Sequence, residues 1–487
     1  MYQNRQKPSF GRELGFFCLF VPKVYICNMK YLYLVISFLC ISFVEITGTE
    51  YFCFRVYLKD KGYSMYSTDR PELYLSKEAI ERRIKNRIPV THSDLPISAA
   101  YLDSLKLVGG EPVVQSKWFS TVVVASSDSL IAERLNSLSI VDSVKWVWKG
   151  TLDTLSLSDH TDKQRYVSAD HPKNVPYGYA EEQIAMLNGI KLHKEGYKGQ
   201  GMRIAVIDAG FENVDCISAF DSLKLLGTYN VVSPGTSVFK GDDHGTKVLS
   251  CLAANVPGIM VGTAPEASYW LIRSEDNRSE FPIEEDYWTA AVEFADSVGV
   301  DVVSSSLGYF LFDADEVDYC QAELNGQTAL ISRAAQMASD KGILLFCSAG
   351  NEGGGNWQKI TFPADASGIV TVGAVTEKKK RSSFSSLGFT ADNRIKPDVV
   401  ALGTACCVIG SDGDIQYANG TSFSTPILAG LGVCLWQAFP SLTNKEIISL
   451  LQRGSSQFKH PDEQLGYGLP NIYKIFKQNR KKILKSE

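Results

Sequence analysis

Four short runs in the second half of the chain lack the in/out alternation of a half-exposed strand: "MRIAVID" (Met202–Asp208), "VDVVSSSLG" (Val300–Gly308), "GILLFCSAG" (Gly342–Gly350) and "GIVTVGAV" (Gly368–Val375). Strands of that kind fit a sheet covered on both faces, as parallel sheets are. Helical patterns lie between them, at Glu284–Ser297 and Ala329–Lys341, and a further one follows "TNKE" (Thr443–Glu446), which has the form of a capping box. Residues 177–476 therefore read as an α/β domain, doubly wound around a mostly parallel sheet. In such sheets ligands bind beyond the carboxyl ends of the strands. Asp208, Gly308 and Ser348–Asn351 all fall at such ends.

A second, smaller α/β unit precedes it over residues 50–148. "YFCFRVYL" (Tyr51–Leu58) and "STVVVA" (Ser120–Ala125) read as strands, and Ser76–Arg87 and Ser127–Leu138 as helices, the first capped by Ser76. Residues 149–176, rich in Ser, Thr and Asp and without period, form a linker of the kind where proteolytic nicking concentrates. The 14-residue apolar run Tyr31–Val44 is short for a membrane span and suits a signal-peptide core, with Met29-Lys30 directly before it. The reading is an upstream over-call at 1–28, a signal peptide at 29–48 cut near Gly48, and a secreted or periplasmic product. Residues 477–487 read as a solvated basic tail.

A net charge of −5, from 49 basic and 54 acidic side chains, gives no electrostatic footprint for nucleic acid. Eleven cysteines show no zinc-type spacing, and most of those past residue 48 lie in apolar stretches as small buried residues.

One stretch, "NGTSFSTP" (Asn419–Pro426), admits two readings. It starts a helix, with Thr421 or Ser422 as cap and Pro426 in the first turn. Alternatively, Ser422 is a nucleophile held where free backbone N–H groups can stabilise an anion. A serine hydroxyl needs a base within reach, most often histidine. Of the six histidines, His92 lies in the N-terminal unit, His160 and His171 in the linker, His193 in a polar stretch and His460 in a turn. His244 sits in "GDDHGTKVLSCLAA", where acidic residues and glycine precede a helix. The imidazole needs an acid to fix its tautomer, and Asp208 emerges at the ligand edge of the sheet. Acyl transfer needs donors aimed at an oxyanion, and Asn351 stands in the glycine-rich "SAGNEGGG". A cap, a turn or a strand end explains each of these singly. Coincidence is a poor account of all four together in this order and setting.

Asp208-Ala-Gly, His244-Gly-Thr, Ser348-Ala-Gly-Asn351 and Gly420-Thr-Ser422-Phe-Ser-Thr-Pro426 resemble the signature blocks of the subtilisin-like serine proteases, over about Ala180 to Phe476. Subtilisin is itself the standard example of the Asp, His, Ser order and of an Asn oxyanion donor, and this chain repeats that known order. The resemblance implies a secreted serine endopeptidase of the bacterial precursor type. It implies Asp208 as orienting acid, His244 as general base then acid, and Ser422 as nucleophile. Asn351 and the Ser422 backbone N–H form the oxyanion hole. Ser306, Leu307 and Gly308 pair with an extended substrate, and with Ser348, Ala349 and Gly350 they wall the pocket for the residue before the scissile bond. Leu307 and the glycines leave room there for an apolar side chain. In "FPA" (Phe362–Ala364) the proline bond is expected cis.

By the same resemblance the N-terminal unit is a propeptide that assists folding, blocks the cleft as an intramolecular inhibitor and is cut away. The partners expected are therefore protein or peptide substrates and the chain's own N-terminal unit, with the enzyme monomeric. No cofactor is implied and no metal ligands are assigned. Structural calcium is frequent in the family, but the acidic "DADEVD" (Asp313–Asp318) reads as a solvated loop. Two departures stand out. Ala209 replaces a hydroxyl residue common after the aspartate, and Lys247 brings a charge that lowers the pKa of His244 if it points inward. The alternative function is a catalytically inactive relative that binds peptides, against which the complete blocks argue. His244-Gly-Thr argues against a glutamate-based acidic peptidase, and the lack of G-x-S-x-G around Ser422 against a lipase-type hydrolase.

Overall fold

The structure, a computed structural model, describes residues 49–151, 164–167 and 174–486. The expected over-call and signal peptide lie outside the described residues, as do 152–163 and 168–173 of the expected linker.

The N-terminal unit contains strands β1 (Glu50–Leu58), β2 (Glu111–Ser116), β3 (Thr121–Ser126) and β4 (Val141–Thr151), with helices α1 (Lys77–Asn86), α2 (Ala99–Leu107) and α3 (Ile131–Asn136). The strands form one antiparallel sheet in the order β2-β3-β1-β4. Ser76 caps α1 by accepting a hydrogen bond from the Ala79 N–H at 3.1 Å. The helix expected from Ser127 begins only at Ile131. The Ser126 and Asp128 side chains accept from the backbone N–H groups of Asp128 and Leu130, and these local bonds hold the segment in turns.

The larger domain is built on seven parallel strands: β5 (Arg203–Asp208), β6 (Lys224–Asn230), β7 (Ser268–Arg273), β8 (Val302–Ser305), β9 (Leu344–Ser348), β10 (Val370–Val375) and β11 (Val399–Leu402). Their order is β11-β10-β9-β8-β5-β7-β6. Ile204 and Val206 of β5 pack into one apolar core, with residues of α4 (His244–Ala253) and α7 (Thr421–Ala438). Ala205 and Ile207 point the other way, into a second core with α5 (Ile283–Ser297) and α6 (Leu330–Asp340). Burial on both faces is why the strand reads as an unbroken apolar run. The capping box appears at α8 (Asn444–Arg453), where Thr443 and Glu446 cap reciprocally.

Two expectations are corrected at α7. Its N-cap is Gly420, with Thr421 and Ser422 as the first two helical residues, and Pro426 is the sixth residue, beyond the first turn. A proline there has no N–H for the carbonyl of Ser422, four residues back. That carbonyl instead accepts the Ser306 hydroxyl at 2.8 Å.

The N-terminal sheet lies against α5. Cys53, Val123, Val147 and Trp148 belong to the same core as Trp288, Ala291 and Val292 of α5. Buried ion pairs stitch the contact. Arg55 of β1 binds Asp286 through Nε at 2.7 Å and also donates to the Pro282 carbonyl. Arg82 and Arg83 of α1 both reach Asp296, and Arg83 and Lys341 share Asp94. Glu293 accepts from the Ser116 hydroxyl and from the N–H groups of Lys117 and Trp118. Every charge so buried has a partner, the condition under which such burial is tolerated.

Seven of the eight described cysteines are buried, and Cys320 is exposed. Among the described residues no helix is long and apolar enough to cross a membrane.

Candidate active site

Asp208 ends β5 fully buried. Its Oδ1 accepts the Ala209 N–H at 2.9 Å and His244 Nδ1 at 2.7 Å. His244 opens α4, its own N–H donating to Asp242 Oδ1 at 2.6 Å. The glycine after it is needed for close approach: a Cβ on Gly245 would lie 2.2 Å from the Gly210 carbonyl oxygen and 3.0 Å from Asp208 Cβ. With Nδ1–H donated to the carboxylate, Nε2 carries the lone pair and can take up a proton. Burial works to lower the pKa of His244, but the charge of Asp208 and its hydrogen bond outweigh it and hold the imidazole above its ordinary value.

Asp208 Oδ2, by contrast, has no hydrogen-bond partner among the described residues. Ala209, the residue that follows, has no hydroxyl to offer it. Lys247 pairs with Asp243 at 2.8 Å, so its charge is met outside the imidazole, contrary to the inward pose considered above.

Ser422 is 7% exposed, and its Oγ lies 3.5 Å from the Ser306 carbonyl oxygen. It makes no hydrogen bond with His244 in this structure; the imidazole faces the ring of the next residue, Phe423, at 6.0 Å between centroids. Nucleophile–base contacts are often loose before substrate binds. The start of α7 is tied to the loop after β9 through Asn351. Its Oδ1 accepts from the Thr421 N–H at 2.9 Å and the Thr421 hydroxyl at 3.1 Å. Because the oxygen end of the amide is committed to those donors, the NH₂ end is left to donate elsewhere. The structure thus brings Asp208, His244, Asn351 and Ser422 to one edge of the sheet.

Ser306–Gly308 and Ser348–Gly350 continue from β8 and β9 at that edge. Leu307 and Ala349 turn their side chains into the core on the α5 side, so they offer a ligand main chain only. The Phe362–Pro363 bond is cis. In the acidic stretch, Asp313 and Asp318 accept backbone N–H groups of Glu280 and Phe312 and brace their loop.

Glu275 carries no motif that marks it in the sequence. It lies two residues past Arg273, the register partner of Asp208 on β7. Burial, then the negative charge of Asp208, push its carboxyl up to about 7, with His244 pulling the other way. The one clue in the sequence is the acidic pair Glu275-Asp276, which follows the short run "SYWLIR" after a single serine.

Residues 199–468, more than half of the chain, match the model of the subtilase family. The chain belongs to the subtilase family. Residues 53–165 of this subtilase match the peptidase S8 propeptide domain of Bacteroidota. Over 315 residues it is 29% identical to Subtilisin NAT of Bacillus subtilis subsp. natto, covering 64% of this chain and 73% of that one. It is also 29% identical to the subtilisin of Bacillus pumilus over 305 residues, 62% of this chain and 98% of the other. With the Minor extracellular protease Epr of Bacillus subtilis (strain 168) it shares 30% identity over 289 residues, 57% and 38% of the two chains. This subtilase is accordingly a serine-type endopeptidase with a propeptide domain ahead of its catalytic domain.

Proposed function

We propose that the subtilase is secreted as an inactive precursor and cleaves extended peptides with Ser422 as nucleophile. The observation that carries this reading is the 2.7 Å bond between Asp208 and His244 at the same sheet edge as Ser422 and Asn351. In the first step Ser422 Oγ turns from the Ser306 carbonyl to His244 Nε2, which takes its proton as Oγ attacks the scissile carbonyl carbon. The oxyanion is met by the Asn351 NH₂ group and the Ser422 N–H, which are fixed before the reaction by the start of α7. His244 then gives its proton to the leaving amine, an acyl-enzyme forms, and water repeats the sequence to release the acid. Asp208 orients the imidazole and stabilises the imidazolium.

The N-terminal unit acts in this reading as an intramolecular inhibitor, released by a cut within residues 149–176. The test is labelling with a serine-directed fluorophosphonate while chain mass is followed. Labelling should vanish in Ser422→Ala, whose kcat should fall by about 10⁶, the scale known for subtilisin itself. A folded chain that never labels and never loses mass refutes the proposal.

A further inference from the structure

Most of the stretch expected as a solvated basic tail is helical, within α9 (Ile472–Ser486). The first turns of α9 dock by Ile472, Ile475 and Phe476, buried in the core they share with residues of α4 and α7. Phe476 meets Phe439, at the C-terminal end of α7, at 5.9 Å between ring centroids. The outer side is basic. Lys474 and Lys477, three residues apart and so neighbours on the helix, are both exposed. The short helix Gly189–Lys194 carries a second such pair, Lys191 and Lys194, also exposed. One ring joins the two pairs: the ammonium groups of Lys191 and Lys477 stand 6.0 and 5.8 Å from the centroid of Tyr473. The carboxylate of Glu195 is taken up by the Tyr473 hydroxyl at 3.0 Å and by Arg480 at 3.2 Å. None of the four lysines has a carboxylate partner among the described residues.

Like charges three or four residues apart weaken a helix slightly, yet a chain of net charge −5 gathers these lysines and Arg480 around Glu195. Such grouping is repaid by a negative partner outside the chain. We propose that the face formed by α9 and the helix Gly189–Lys194 is a docking surface for the anionic phospholipids of a membrane. This goes beyond the protease reading and does not rest on it. Lysines predominate, and their flexible stems and compact charges meet scattered headgroup phosphates without the fixed fork that arginine offers. The half-buried Tyr473 and Tyr197, both beside Phe476, have the amphipathic ring that suits the headgroup level. The helix runs on to Ser486, and its sequence adds Lys481, Lys482 and Lys485. A chain docked this way keeps its cleft clear of the membrane. α7 is 18 residues long, about 27 Å, and Ser422 lies at the end remote from α9.

The test uses the full chain with Ser422→Ala, which prevents self-digestion. It is sedimented with vesicles of phosphatidylcholine alone, or with one lipid in four replaced by phosphatidylglycerol. The chain should sediment with the anionic vesicles at low ionic strength, leave them at high ionic strength, and stay in solution with phosphatidylcholine. Each lysine near such a surface is expected to contribute about fivefold in partitioning, so Lys191→Gln, Lys474→Gln and Lys477→Gln together should lower it about a hundredfold. A control triple, Lys378→Gln, Lys379→Gln and Lys380→Gln, removes the same charge from an exposed turn after β10 and should bind undiminished. All six positions are exposed, and circular dichroism checks that both triples fold. No sedimentation with anionic vesicles overturns the proposal, as does equal sedimentation with phosphatidylcholine. So does a folded patch triple that binds undiminished, or an equal loss in the two triples, which would put net charge alone at work. Binding to single-stranded DNA with none to vesicles also overturns it, and would give the face to a polyanion instead.

Discussion

Replacing Ala209 by serine puts a donor where the structure lacks one. Asp208 is fully buried, and its two carboxylate oxygens are treated unequally: Oδ1 accepts two hydrogen bonds and Oδ2 none. The N–H of residue 209 already bonds Oδ1 at 2.9 Å, so the adjacent side chain sits close enough for an added hydroxyl to turn to Oδ2. An unsatisfied buried acceptor costs about 1–3 kcal/mol, and a hydrogen bond to a charged group returns a similar amount. After the loss of hydroxyl rotamer freedom, a gain of about 1–2 kcal/mol is expected, at roughly 2–4 °C of Tm per kcal/mol for a domain of this size. The assay is thermal unfolding of Ala209→Ser in a Ser422→Ala background, which prevents self-digestion. A second readout has a definite sign. A new bond to the Asp208 carboxylate draws off some of the charge that holds His244 up, so the imidazolium pKa should fall. The cycle with Asp208→Ala isolates the pair, because there the added hydroxyl has nothing to meet. No gain in Tm together with an unmoved His244 titration would show that Oδ2 is already solvated, and the reasoning from an orphaned oxygen would be wrong.

Other expectations are simpler. Because His244 is held above its ordinary value, kcat/KM should fall on the acid side with a limb above about 6.5, and Asp208→Asn should move that limb down. The same shift means the stability His244 contributes is fully present below about 6.5 and is lost as pH rises through its folded value; chemical denaturation across pH 5–9 reads this, and a contribution growing with pH would contradict it. Asn351→Ala should lower kcat by about 10²–10³, the scale known for the oxyanion asparagine of subtilisin, with KM far less affected. Arg55→Leu leaves Asp286 without its buried partner and should weaken the packing of the N-terminal unit by about 3–5 kcal/mol. Denaturant unfolding of the Ser422→Ala chain, followed by tryptophan fluorescence, measures it, and a change below about 1 kcal/mol would mean that water reaches the site.

The parts of this fold that could be read from sequence are those fixed by local pattern. β5, β8, β9 and β10 declared themselves because both of their faces are buried. β6 did not: it is an edge strand with Leu225 and Leu226 about half exposed, and its "KLLGTYN" has neither period. Asp208, His244, Asn351 and Ser422 were legible because strand ends and helix starts position them, and both are written locally. What escaped depends on distant residues meeting. "ERRIKNR" does not reveal that Arg82 and Arg83 are buried against Asp296, more than two hundred residues away.

The carboxylates of α5 have a consequence for the proposed release of the N-terminal unit. Asp286, Glu293 and Asp296 take their side-chain partners from the N-terminal unit. While the two are joined, the unit faces those groups at an effective concentration set by the chain that connects them. Severing the linker changes no contact at this surface; it only turns a unimolecular equilibrium into a bimolecular one. Under the proposed release, dilution is then the governing variable: the same cut chain would stay closed at high protein concentration and open once it is dispersed.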